Sequence, residues 1–164
     1  MTVLQTALVV ATFLCSLVAG FLFAFAAVVM PGIRSLDDGA FIRAFQTIDR
    51  VIQNNQPLFV LVWVGSVLAV IVAGVVGVWA LSGTARVATA VAALIYVLGV
   101  QLPTFTVNVP LNNQLQRLNV TTMNETARHD ARQMFEARWN RWNVLRTVCA
   151  SFVSVVLLLL LLRV

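Results

Sequence analysis

The stretch VLQTALVVATFLCSLVAGFLFAFAAVVM, Val3 to Met30, runs for 28 residues without one charged side chain. At ~1.5 Å of rise per residue it covers roughly 42 Å as a helix, more than the ~30 Å hydrocarbon layer of a bilayer. It is too long for the apolar core of a signal peptide, and no basic residue precedes it. It therefore reads as a membrane span, and Pro31-Gly32 is expected to end it. Working outward, three further runs follow: Pro57 to Leu81, Val87 to about Thr106, and Val144 to Leu162. Each reaches the ~20 residues that a spanning helix needs. Pro57 suits a first helical turn, Ser82-Gly83-Thr84 makes a tight turn, and Arg163 closes the last run.

Composition agrees. Of 164 residues, 60% are hydrophobic and 10% charged, whereas a soluble domain is about half apolar and a quarter charged. The expected fold is all-α, one domain over residues 1–164. It is a four-helix transmembrane bundle with spans at about 3–30, 57–81, 87–106 and 144–162.

The segments between spans are themselves patterned. Asp37 or Asp38 can cap a helix from about Gly39 to Asn55, with Phe41, Ala44, Phe45, Ile48, Val51 and Ile52 at helical spacing. Asn124 to Asn140 also reads as helix, with Arg128, Arg132, Glu136 and Asn140 at four-residue steps. Two spans separate these segments, so both lie on one side, as two short amphipathic cap helices within about 37–56 and 108–142. Between them, Pro103 predicts a bend near the end of the third span, and Pro110 a non-helical strand that carries Asn108 and Asn112 with both amides facing the protein interior.

All eleven basic residues are arginine. The first and third connections hold Arg34, Arg43, Arg50, Arg117, Arg128, Arg132, Arg138 and Arg141, against Arg86 and Arg163 opposite. This bias predicts a multi-pass cell-membrane protein with its cap segments cytoplasmic and both termini outside. There is no continuous basic run, so nucleic acid is not an expected partner. A cytoplasmic loop also leaves the glycosylation-like Asn119-Val-Thr and Asn124-Glu-Thr unused. Cys15 and Cys149 should differ in depth by roughly 10 Å, too far to pair. Small residues at Gly65, Ala69, Ala73 and Gly77, and at Gly20 and Ala24, read as packing stripes. The single histidine, His129, does not make a metal site or a bis-histidine haem site.

Polar groups inside apolar surroundings are costly unless paired or used. Three clusters stand out, all at the capped end. Gln46, Asp49, Gln53 and Gln56 form a stripe on the first cap helix, followed by Asn54 and Asn55. Gln101, Pro103, Thr104, Asn108, Pro110 and Asn112 end the third span. Trp139, Trp142, Asn143 and Arg146 open the fourth. Arg146 lies about a turn inside the boundary arginines, and its depth calls for a partner. Asp49 is the acid on the nearby stripe, so a pairing of the two is expected.

Taken together, Gly20-Phe-Leu-Phe-Ala-Phe-Ala, Val29-Met30-Pro31, Ala44-Phe45-Gln46-Thr-Ile48-Asp49 with Asn54, Pro103-Thr104, Asn108-Val-Pro-Leu-Asn112 and Trp142-Asn143-Val-Leu-Arg146 resemble the anthrone oxygenase family. The resemblance runs through nearly the whole chain in order. It implies oxidation of an anthrone-like or quinol-like aromatic by dioxygen, with no recognised cofactor. Such chemistry needs a base, oxyanion-stabilising donors and a flat apolar slot. Asp49 is the candidate base, with Arg146, Asn108, Asn112 and Asn143 as donors. Phe45 and Trp142 are candidate walls, and Gln46, Asn54 and Thr104 further substrate contacts. The expected partners are the membrane and an apolar small molecule or lipid, with a homo-oligomer left open. The competing reading is a non-catalytic membrane protein that binds a lipid or partner helix, its polar cluster purely structural. An enclosed slot of a few hundred cubic ångströms beside Asp49 and Arg146 separates the two.

Overall fold

A computed structural model describes residues 1–164. Four helices are long and apolar enough to cross a membrane, the arrangement of a multi-pass membrane protein: α1, Val3–Arg34; α3, Pro57–Ala80; α4, Gly83–Gln116; and α5, Glu125–Leu161. A short helix, α2, Asp38–Gln53, lies between the first two. There are no strands. Helix α1 packs along both α3 and α5, and α4 packs against α3 and α5.

Prolines explain where expectation and structure part. Three of the four prolines lie inside long helices, yet none ends one. Pro31 is followed by helix to Arg34, and Pro103 and Pro110 by helix to Gln116. Each is preceded by a wide π turn: Phe25–Val29, Tyr96–Gln101 and Thr104–Asn108. A proline lacks an N–H and its ring clashes with the carbonyl four residues back. Those carbonyls belong to Ala27, Gly99 and Thr106, and all three lie within the π turns. Widening the turn shifts the carbonyl off the ring, so the helix survives. The expected strand over Asn108–Asn112 is therefore helix, with Val109, the residue before Pro110, at φ −62° and ψ −46°.

The expected second cap helix is also revised. Residues 124–142 are not a separate element but the first half of the 37-residue α5. No glycine or proline interrupts Glu125 to Leu161, so nothing stops the helix where hydropathy rises. Asn124 caps its start by accepting from the Ala127 N–H at 2.8 Å.

At this end α2 turns Phe41, Ile42 and Phe45 inward against Phe135 and Trp139 of α5. Arg132 straps the join. Its guanidinium donates to Asp38, Glu136 and the carbonyls of Arg34 and Leu36 at 2.8–3.0 Å, and lies over the Phe41 ring. Helix α2 stops at the left-handed Asn55 (φ 56°), a conformation asparagine tolerates.

At the other end α3 and α4 form a tight hairpin, because small residues let the backbones close. A Cβ on Gly77 would lie 2.6 Å from Thr89 Cγ2, and one on Gly74 would lie 3.0 Å from Ala93 Cβ. Gly20 and Ala24 face outward instead, and a Cβ on Gly20 would meet nothing. That stripe is no packing surface in this fold. Both cysteines are free.

Candidate functional site

Above the hairpin, between α1, α3, α4 and α5, the bundle forms a partly open cavity of about 260 Å³. Helix α2 closes its upper end with Phe45, Asp49 and Ile52. Its polar lining is Asp49, Thr104, Asn108, Asn112, Asn143 and Arg146; aromatic rings make much of the rest. At about 100° per residue, each four-residue step from Thr104 to Asn108 to Asn112 overshoots a full turn by about 40°. The wide Thr104–Asn108 turn absorbs that drift and keeps the three on one face. On α5, steps of four and three align Trp139, Asn143 and Arg146.

Arg146 is 4% exposed and has no carboxylate partner. One terminal nitrogen donates to Thr104 Oγ1 at 3.0 Å and the other to Asn143 Oδ1 at 2.9 Å, both neutral acceptors. Its Nε–H is buried without a partner. The guanidinium carbon lies 5.8 Å from the Trp139 ring centroid, a cation–π contact. Asn143 is held by donating to the Leu22 carbonyl at 3.1 Å. Asn108 donates to the Trp139 carbonyl at 3.3 Å, and its own Oδ1 is buried and unpaired. Two residues that line the cavity thus each keep one unspent group, a donor on Arg146 and an acceptor on Asn108.

Asp49, 2% exposed, is arranged in the opposite way. It accepts from Asn112 at 2.7 Å, Gln53 at 2.6 Å and Gln116 at 3.1 Å. Asn112 in turn accepts from Trp139 Nε1–H at 2.7 Å. A chain of donors thereby runs Trp139, Asn112, Asp49 across three helices. The expected Asp49–Arg146 ion pair does not form. Amides satisfy the carboxylate before the arginine reaches it, and the cavity lies between the two.

Residues 45–156 match the family model described as anthrone oxygenase. The chain belongs to the anthrone oxygenase family. The stretch matched by the anthrone oxygenase model holds every polar residue of the cavity lining, while Phe21, Leu22 and Phe25 of α1 lie outside it. Comparison with curated proteins and with solved structures yields no match.

Of the residues singled out in the sequence, Phe45, Asp49, Thr104, Asn108, Asn112, Asn143 and Arg146 line the cavity. Gln46, Asn54 and Trp142 do not. Gln46 donates to the carbonyls of Leu115 and Leu118 and locks α2 to the end of α4. Asn54 is exposed at the end of α2. Trp142 packs beside the α2–α5 core. With Phe45, the aromatic wall is Trp139, Phe21, Phe25, Phe59, Trp63 and, at its outer side, Phe105. Phe59 and Trp63 stack with centroids 5.4 Å apart, and Gln101 fixes Trp63 by accepting its indole N–H at 3.0 Å. The four-residue steps Phe21–Phe25 and Phe59–Trp63 were the available signal, but rings in a charge-free span look the same whether they face lipid or a pocket.

Proposed function

We propose that the protein is a membrane-embedded oxygenase of a small flat anthrone-like aromatic that carries an acidic C–H, or an oxidoreductase of a quinol-like one that carries an acidic O–H. Oxidation takes place in the cavity between Asp49 and Arg146. The observation that carries this reading is the buried, unpaired Arg146. A lone charge in low dielectric is expensive, and a cavity beside it offers room for a complementary anion. The about 260 Å³ of space falls just under the ~300–1,000 Å³ of drug-sized sites, which suits a fused-ring molecule. The open slot also weighs against a purely structural cluster, in which the two charges would pair and fill the space.

The chemistry follows from the residues. Asp49 takes a proton from the substrate methylene, and the ring carbonyl becomes a phenolate-type oxyanion that the Arg146 guanidinium stabilises. The electron-rich carbon passes one electron to dioxygen, and the two radicals combine to form a C–O bond. Asp49 returns the proton to the peroxide. Loss of water, with cleavage of the O–O bond and departure of the second methylene proton, leaves a new carbonyl. One substrate and one dioxygen give one quinone and one water. The substrate anion is itself the reductant of dioxygen, so this sequence calls for no cofactor.

The test is oxygen uptake by the protein in lipid nanodiscs supplied with an anthrone, against protein-free nanodiscs. Faster uptake, with one atom of isotopically labelled dioxygen in the quinone, is expected. Uptake at the protein-free rate removes the reading and leaves a lipid- or quinol-binding protein. The reading also takes the cavity-bearing end as cytoplasmic, from the arginine bias. Labelling of Arg128→Cys by an impermeant reagent outside intact cells would reverse that orientation.

A further inference from the structure

The cavity has a side opening. Four of its lining residues, Val60 and Val64 on α3 and Phe105 and Val109 on α4, are also exposed on the outer surface, Phe105 by 63% and Val64 by 50%. The inner lining residues Leu22, Phe45, Asn108 and Arg146 are buried. The opening has a structural cause. The backbones of α3 and α4 lie close over Gly83–Ile95 and draw apart across Tyr96–Gln101, where hydrogen bonds Ser66–Tyr96 and Trp63–Gln101 still join the pair, and little backbone contact remains beyond Thr104. Glycines at 74 and 77 close the hairpin at one end, whereas Phe59 and Trp63 of α3 and Thr104, Phe105 and Asn108 of α4 line the cavity at the other.

The surroundings of the mouth identify what bathes it. The exposed neighbours on α3 are Leu61 and Leu68, and on α4 Leu98 and Leu102. Val60 and Val64 lie about 4 Å and 10 Å along the helix from Pro57, at ~1.5 Å per residue. The rim is therefore part of the apolar belt, and belongs against acyl chains rather than water.

We infer that this gap between α3 and α4 is a lateral doorway through which an aromatic substrate dissolved in the hydrocarbon layer enters the cavity, with Val64 and Phe105 setting its width. The inference rests on the cavity being a ligand site, as proposed above, and not on the reaction. It deepens that reading by fixing the substrate class: a planar molecule that partitions into lipid, with an acidic polar edge that meets Arg146 after entry. Arg146 lies on α5, which forms neither side of the doorway, so the polar edge travels past an apolar rim before it finds its partner. A water-soluble aromatic acid would be a poor substrate by this route.

The experiment uses a small hydrocarbon-soluble iodophenyl diazirine, photolysed in nanodiscs that hold the full chain, with labelled residues mapped by mass spectrometry. In the wild type, label is expected on the buried Leu22 and Phe45 as well as on the belt residue Leu68. Val64→Trp should remove the interior label and leave Leu68 labelled, and Phe105→Ala should raise the interior label. Val109→Phe narrows the same gap independently, should Val64→Trp fail to fold. Interior residues that stay unlabelled in the wild type, or that keep their label when the doorway is narrowed, would overturn the inference. Photolabelling requires no turnover. A labelled interior in a protein that leaves oxygen uptake unchanged would retain the doorway and dismiss the oxygenase.

Discussion

Arg146 and Asp49 line one cavity from opposite sides without touching, the arginine held by two neutral acceptors and the carboxylate by three amide donors. Each charge is thus positioned by neutral groups and left available to a third party. An unmatched buried cation opposes folding, so Arg146→Met should leave thermal stability in detergent unchanged or raise it by ~1 kcal/mol. The same change should abolish oxygen uptake with an anthrone. A large loss of stability would mean that the charge is already matched within the protein. Combined with Asp49→Asn, its effect on stability should add to within ~0.5 kcal/mol, because no contact joins the pair.

Asp49→Asn alone carries the opposite sign. The new amide would point a donor at side chains that are themselves donating, and at least one part-buried amide loses its acceptor. We expect a loss of about 1–3 kcal/mol in thermal stability, together with loss of turnover. Denaturation in detergent and oxygen uptake measure the two separately. Wild-type stability in Asp49→Asn would show that the three-donor cradle does not hold in solution.

The four spans were legible because about 20 predominantly apolar residues with at most one charge have few other meanings. The inward face of Asn108, Asn143 and Arg146 was legible too, since lipid offers such groups no partner. Helix ends at Pro31 and ahead of Pro110 were misjudged for a local reason: a π turn cancels the proline's clash, and nothing in residue type announces one. The second cap helix was misjudged because hydropathy marks where lipid begins and not where a helix does. On α5, Trp139 and Trp142 both lie at helical steps from Arg146. Only the packing of α2 decides that Trp139 faces the cavity. The Asp49–Arg146 pairing failed because charge accounting counts only charges, and Gln53, Asn112 and Gln116 met the carboxylate's needs first.

Close approach of α4 and α5 depends on Gly99, where a Cβ would lie 2.7 Å from Cys149 Sγ. Gly99→Ala should cost about 1–3 kcal/mol through overpacking. The double change Gly99→Ala, Cys149→Ala should recover part of that, the remaining contact being with Cys149 Cβ at 3.1 Å. Thermal unfolding of the three proteins decides it, and no recovery in the double variant would show that the strain lies elsewhere.

At the join of α2 and α5, Asp38 receives a hydrogen bond from His129 and another from Arg132, each at 3.0 Å. The His129 contact first, and Arg132 second, hold its carboxyl below the usual carboxylate range. A carboxyl depressed by folding stabilises the folded state above its unfolded value of ~3.9, and that share is lost as pH falls through the folded value. Stability of the wild type should therefore drop more steeply than that of Asp38→Asn below about pH 4. Parallel curves for the two proteins down to the acid limit would contradict the assignment.

The central claim is that Arg146 waits for an aromatic oxyanion. A hydroxyanthraquinone whose colour changes on ionisation reports this directly when titrated in nanodiscs, bound and free. The account predicts that the dye bound to the wild type ionises at lower pH than the same dye in protein-free nanodiscs, and that Arg146→Met removes the difference. The same ionisation midpoint in wild type, Arg146→Met and empty nanodiscs would contradict it.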